Sequence, residues 1–313
     1  TDACGWTGVT CLSPPSVSQL AVTGKGLTGT LSPSIGSLSS LTEINFGNNK
    51  LNGAIPSTIG CLTNLLNFAM NQNSLSGAVP STVGSLSKLR DMVLFKNDLA
   101  GTIPSSIGLL TEMITLGLRE NDLVGSIPAS IGKMSKMTVM AFFTNQLTGS
   151  MPSSVGSLAK LTLLKWQTNK MNGVVPSSVG SLTKLQTFEF YQNSHVGTLP
   201  ASVGSMVSLK SFMFDRNSLT GVLPSTLGAL SDLQTLSAFT NCFTGTIPSS
   251  LGSLTKVTYM PLAYNRLVGT IPSTLSQMSN VVTIELQSNS LTGTIPSVLA
   301  NLAKMTHLNV ADN

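Results

Sequence analysis

The chain has 313 residues, of which 41% are apolar and only 9% charged, against the usual quarter. Its net charge of +5 is too weak and too dispersed for nucleic-acid binding, and no apolar run approaches the roughly 18 residues of a membrane span. Gly, Ser, Thr, Asn and Pro take the place of the missing charge, so the expected surface is neutral and rich in hydroxyls.

The chain opens at Thr1 without an initiator Met or a hydrophobic leader, as expected of a processed or trimmed end. Cys4 and Cys11 follow, seven residues apart in a Gly- and Trp-containing segment, as expected of a small disulfide loop formed in an oxidising compartment. Residues 1–24 are read as an N-terminal cap and 25–313 as about twelve repeats of 24 residues. From Asn49 to Asn313 an asparagine returns every 24 residues without a slip in register. A fixed period of this size is the mark of a solenoid, in which each coil packs on its neighbours.

Residues 74–97 show the unit. Leu75, Val79, Val83, Leu86, Leu89, Met92 and Leu94 form the apolar set, and Leu89-x-x-Met92-x-Leu94-x-x-Asn97 matches the leucine-rich-repeat signature L-x-x-L-x-L-x-x-N. The alternation around Met92 and Leu94 predicts a short strand with one buried face. Stacked from coil to coil, these strands make a parallel sheet. Each Asn offers a donor and an acceptor, enough to satisfy turn backbone in its own coil and the next. After each Asn comes L-x-G-x-[IVLM]-P, with the Gly in a turn that other residues resist. Cys61 and Cys242 stand too many coils apart to bridge and are expected to be free, buried thiols. Trp166 is placed in the core. His195 replaces the usual leucine two places after Asn193, as a tolerated substitution near the coil edge, hydrogen-bonded or partly wet. The chain stops at Asn313, partway through a repeat.

The repeated LTGxIPSSIGSLTKLxxLxLxxN pattern resembles the plant-type extracellular leucine-rich repeats of receptor-like kinase ectodomains and polygalacturonase-inhibiting proteins. The segment Cys4-Gly-Trp-Thr-Gly-Val-Thr-Cys11 is similar to the family's N-terminal cap, C-x-W-x-G-V-x-C. The resemblance implies a leucine-rich-repeat solenoid of the α/β class, dominated by β structure. It further implies a right-handed twisted superhelix, a concave parallel β-sheet, a short second sheet at the LxGxIP segment, and ligands on the concave or lateral face. The family's C-terminal cysteine cap is missing from the sequence, as are a transmembrane helix, a kinase and any N-x-[ST] sequon.

Side chains two, four and six places before each Asn are expected on the concave face. The row two places before Asn carries an aromatic in every second coil, at Phe95, Phe143, Tyr191 and Phe239, with Arg119, Gln167 and Asp215 between. Aromatics about 10 Å apart, interleaved with hydrogen-bonding groups, fit an extended peptide or glycan; the alternative is packing on adjacent concave side chains that stiffens the sheet. A second row, Lys88, Lys136, Lys160, Lys184, Lys256 and Lys304, is a candidate basic edge for acidic polysaccharide or a set of solvated lysines. A third surface repeats Thr-Gly-Thr, at Thr28–Thr30, Thr244–Thr246 and Thr292–Thr294, and is open to ordered water, hence ice, or to O-glycans, although Val124, Val174, Val196 and Val222 interrupt its rows.

No nucleophile–base pair, metal-ligand spacing or phosphate loop appears, so no enzyme activity, cofactor or metal is assigned. The expected function is extracellular, secreted or cell-surface recognition of a protein, peptide or polysaccharide. The alternatives are a structural component of an extracellular coat or fibre, self-associating end to end and carrying O-glycans, and an ice-binding protein.

Overall fold

The computed structural model describes residues 3–5, 7–13 and 16–313; Trp6 of the cap motif lies outside them. The chain divides into two compact units, Thr1–Thr148 and Gly149–Asn313. Among the described residues the regular elements are short β-strands and 3-10 turns, with no α-helix.

One coil of the first unit shows why. After Asn97, strand Asp98–Thr102 runs to Pro104, whose extended backbone (φ −68°, ψ 140°) caps the 3-10 turn Ser105–Leu109. Proline fixes φ and brings no N–H to be left over at the turn's start. The turn is only five residues long, and the Leu110 N–H closes it on the Ile107 carbonyl. Gly108 then lies so close to the next coil that a Cβ there would stand 2.4 Å from the Ser130 carbonyl oxygen. The chain continues into strand Thr115–Gly117. Glu120, just before the next Asn, takes a left-handed conformation (φ 55°), as does the residue before every one of the twelve asparagines. In non-glycine residues this region costs about 1–2 kcal/mol, and Thr144, Thr168 and Thr240 occupy it despite their β-branches.

In the first unit the antiparallel pair Val9–Ser13 and Ser16–Ala21 leads into parallel strands from Glu43–Asn45 to Val139–Ala141. A second sheet of six strands runs from Thr28–Thr30 to Gln146–Thr148. In the second unit the first-sheet strands run in parallel from Leu163–Lys165 to His307–Asn309. Its second sheet comprises a four-stranded set from Asn172–Gly173 to Cys242–Thr244 and a pair, Val268–Gly269 with Ser290–Leu291.

In each unit an apolar core lies between the sheets and turns. All seven apolar side chains expected from residues 74–97 are buried there, as is Trp166. The second unit fills its core with rings: Phe188 stacks on Phe212 at 5.5 Å and Phe190 on Phe214 at 6.0 Å.

The asparagines stitch coil to coil. Asn121 Oδ1 accepts from the Leu99 N–H at 3.1 Å, and its Nδ2 donates to the carbonyls of Leu118 at 3.0 Å and of Leu94, one coil back, at 3.1 Å. A parallel ladder of hydroxyls joins the turns: Ser106 donates to Ser81 O and Ser130 to Ser105 O. The disulfide Cys4–Cys11 is present. Cys61 and Cys242 are free, but the expectation that they are buried is corrected: Cys61 is exposed and Cys242 half-buried. Cys61 ends the turn Ser57–Cys61 at the place held by Ser85 in the next coil, and Cys242 opens a second-sheet strand where its equivalents face water.

Replacing Asn121 by Ala orphans the Leu99 N–H in an apolar interior, which costs about 1–3 kcal/mol. Urea denaturation is expected to show a loss of that size; an unchanged midpoint would mean that the amide ladder does not hold the coils.

Candidate ligand-binding faces

The outward face of the first sheet is built from strand residues that alternate with core positions. In the first unit, Thr115 and Gly117 flank the core residue Leu116, and the outward row continues to Arg119. The Arg119 guanidinium lies 3.8 Å from the Phe95 ring centroid and 5.3 Å from that of Phe143, and its Nη1 donates to the Glu120 carboxylate. Both flat faces of the cation are covered by rings, and its charge is met by a neighbouring anion. Phe95, Arg119 and Phe143 form a packed, half-buried stack.

The second unit presents a different surface. Four polar residues on this outward face are buried: Gln167, Glu189, Asp215 and Ser237. Glu189 Oε2 meets Lys165 Nζ at 3.1 Å and accepts from Gln167 Nε2 at 3.3 Å. Asp215 Oδ1 accepts from the Ser237 hydroxyl at 2.8 Å. Gln167 is only 5% exposed, yet its Oε1 has no partner. Burial pushes the Asp215 carboxyl above its usual range, against the Ser237 hydrogen bond and the nearby Arg216 charge, and Glu189 adds to the rise. Burial, reinforced by Glu189, likewise raises the Tyr191 phenol. Tyr191 and Phe239 flank Asp215 in the row, each half-buried, and Arg216 lies 5.3 Å from the Phe239 ring. The unit thus holds desolvated acceptors between aromatic walls. Such groups gain most from a donor that arrives with a ligand.

The row reading found Gln167, Tyr191, Asp215 and Phe239 but missed Lys165, Glu189 and Ser237 as partners. They stand four places before an Asn rather than two, so reading that second outward row would have found them.

All six lysines of the candidate edge are exposed. Lys136 pairs with Glu112 and Lys256 with Asp232, while Lys88 and Lys304 donate to Asn64 and Asn280; each partner lies 24 residues back. Four of the six ammonium groups are therefore engaged by the preceding coil, two of them neutralised. His195 is 0% exposed, so of the two states expected for it the structure shows the hydrogen-bonded one. Its Nδ1 lies 3.3 Å from the Gly173 carbonyl, its ring meets Phe190 edge to face, and Nε2 has no partner. The second-sheet strand carries position 195 into the core whatever residue stands there.

The repeated strand, turn and asparagine ladder define a leucine-rich-repeat protein, and the Leucine Rich Repeat family model matches residues 40–62 and 280–302. More narrowly, the chain is similar to the plant-type extracellular leucine-rich-repeat proteins. It is similar to PEPR1 in the PEPR1–AtPEP1 crystal structure, with 31% identity and a TM-score of 0.86, over 98% of this chain and 47% of the other. It is also similar to the plant peptide hormone receptor RGFR1 in complex with RGF2 (29%, TM-score 0.77, 98% and 60%). The same holds for the Arabidopsis receptor kinase HAESA in complex with the peptide hormone IDA and the co-receptor SERK1 (27%, 0.74, 98% and 60%). The chain spans about half to three-fifths of the length of these structures. None of the curated proteins matches it significantly. Among the described residues no helix is long and apolar enough to cross a membrane.

Burial lowers the His195 pKa from 6.5 to about 4, against the Gly173 hydrogen bond. Between those values the unfolded chain binds a proton that the folded chain does not. Stability is therefore full above pH 6.5 and falls as pH drops towards 4, by up to about 3 kcal/mol. His195→Leu, which restores the residue of most other coils, is expected to remove this slope. Urea midpoints of the two proteins across that window check it; parallel curves would refute a buried neutral imidazole.

Proposed function

We propose that the chain is a non-enzymatic recognition module that works outside the cell and binds a peptide on the outward face of the first sheet. The observation that carries this reading is a buried pair of acceptors beside Tyr191 and Phe239: Gln167, whose Oε1 has no partner, and the desolvated carboxyl of Asp215. A structural sheet face gains nothing from desolvating carboxylates, whereas a binding face gains selectivity for a ligand that brings donors. The ligand is an extended segment whose Lys, Arg, Asn or Gln side chain meets Asp215 while apolar groups lie against the rings. The first unit, taken by itself, presents the Phe95–Arg119–Phe143 stack, whose side chains are already packed together and have less entropy to lose. The peptide ligands in the RGFR1 and HAESA structures support the class of ligand, and the Cys4–Cys11 disulfide supports an oxidising location.

The test is to pan a displayed library of random short peptides on the intact chain. Enriched peptides are expected to carry a donor-bearing side chain and to bind Asp215→Asn roughly 10- to 100-fold more weakly, the worth of a charge-assisted hydrogen bond. Failure to enrich any sequence, or binding indifferent to both Asp215→Asn and Tyr191→Ala, overturns the reading.

The same substitution has a stability signature. The folded Asp215 carboxyl holds its proton to higher pH than the ordinary 3.8, so its ionised form costs stability at neutral pH and the cost fades as pH falls towards 3.8. Asp215→Asn is therefore expected to raise the melting temperature at pH 7, with the gain shrinking in acid. A lower melting temperature at pH 7 would contradict the desolvation argument.

A further inference from the structure

The second sheet of the second unit presents a surface that peptide recognition does not use. Residues three and five places after each Asn point outward in two columns. After Ser150 and Asn172 the first runs Val196, Thr220, Thr244, Val268 and Thr292, and the second Val174, Thr198, Val222, Thr246, Thr270 and Thr294. All eleven are exposed, all are β-branched, and none is charged. The first unit carries the pattern only in part: Thr28, Thr30, Thr102, Val124 and Thr148 are separated there by Asn52, Ala54, Ser76, Ala78, Ala100 and Ser126.

The strands pair with a stagger, so Thr198 stands beside Thr220 and Val222 beside Thr244. The ladder continues through Val268 N–H to Gly245 O at 2.9 Å and Thr292 N–H to Gly269 O at 2.7 Å. Between the columns runs a file of glycines, and each seats a methyl of the coil before. A Cβ on Gly221 would stand 2.7 Å from Thr198 Cγ2, and on Gly245 2.8 Å from Val222 Cγ1. On Gly269 it would stand 2.9 Å from Thr246 Cγ2. What docks is a γ-methyl, which Thr and Val share. Val174 and Val222, which seem from sequence to break the threonine rows, keep the same seat: Val174 Cγ1 stands 2.9 Å from a Cβ on Gly197.

The result is a neutral strip of methyls and hydroxyls, with the methyls of one column seated over the glycines. It repeats about 4.8 Å from strand to strand and roughly 6.7 Å between alternate residues of one strand. Methyl groups order the water over them, and threonine hydroxyls anchor it. Liquid water fills the same contacts, so net attraction arises only where many groups stand in phase with an already ordered lattice. The unvarying 24-residue coil supplies that phase, and the absence of charge matches an uncharged crystal face.

We propose that this strip binds ice, through the Thr and Val columns of residues 174–294. The proposal is independent of peptide binding on the first sheet. The experiment measures the freezing–melting gap, inhibition of ice recrystallisation and uptake into a growing ice hemisphere, all with the intact chain. The wild type is expected to show all three. Thr246→Lys and Thr270→Lys, both at exposed positions, are expected to lose most of the activity with unchanged melting curves. Thr246→Val, which keeps the seated methyl, is expected to retain most of it, and Ala54→Lys on the first unit and Tyr191→Ala on the other sheet are expected to retain all. A wild type that neither shapes ice nor enters it overturns the proposal, as does activity untouched by both lysine substitutions.

Discussion

A single side-chain amide, placed once per coil, holds the architecture together. Each asparagine binds its own turn and the coil before it, so no coil is complete alone. The apolar spine would be satisfied by many registers of stacking, since leucine against leucine discriminates poorly. The amide would not, because a slip of one residue leaves a buried N–H unpaired at a cost of about 1–3 kcal/mol. The left-handed residue before each asparagine shows how firmly the rest of the coil imposes this geometry. Twelve non-glycine residues, three of them threonines, accept an unfavourable backbone conformation to deliver the amide to its place.

With backbone and core thus occupied, the outward surfaces are free to differ between units. On the first sheet, the first unit carries a cation whose faces and charge are already met. The second carries acceptors kept from water with a lone pair to spare. The second sheet of that same unit is methyl and hydroxyl, without charge. These surfaces ask for different partners, and the same coil geometry presents them all.

Much of this was legible in the sequence because the coil translates position into environment. Leu75 or Met92 could be assigned to the core, and Asn97 to the ladder, from spacing alone. What escaped depended on neighbours rather than on position. Glu189 lies on an outward face and is buried only because Lys165, Gln167 and Ser211 close around it. His195 is dry because the strand drives that position inward even when the residue is polar. Cys61 is exposed although cysteine is usually buried, because the end of the turn faces water. Val222 looked like an interruption until its methyl was found in the seat a threonine methyl takes elsewhere.

The bonds of each asparagine reach back 22 and 27 residues, and that arithmetic limits how such a gene can change. Gaining or losing one amino acid within a coil would throw two amides out of reach at once. Duplicating or deleting a whole turn of the spiral would leave every reach intact. Length in this lineage is therefore expected to vary by unequal recombination in whole multiples, adding or removing one rung of every surface at each step.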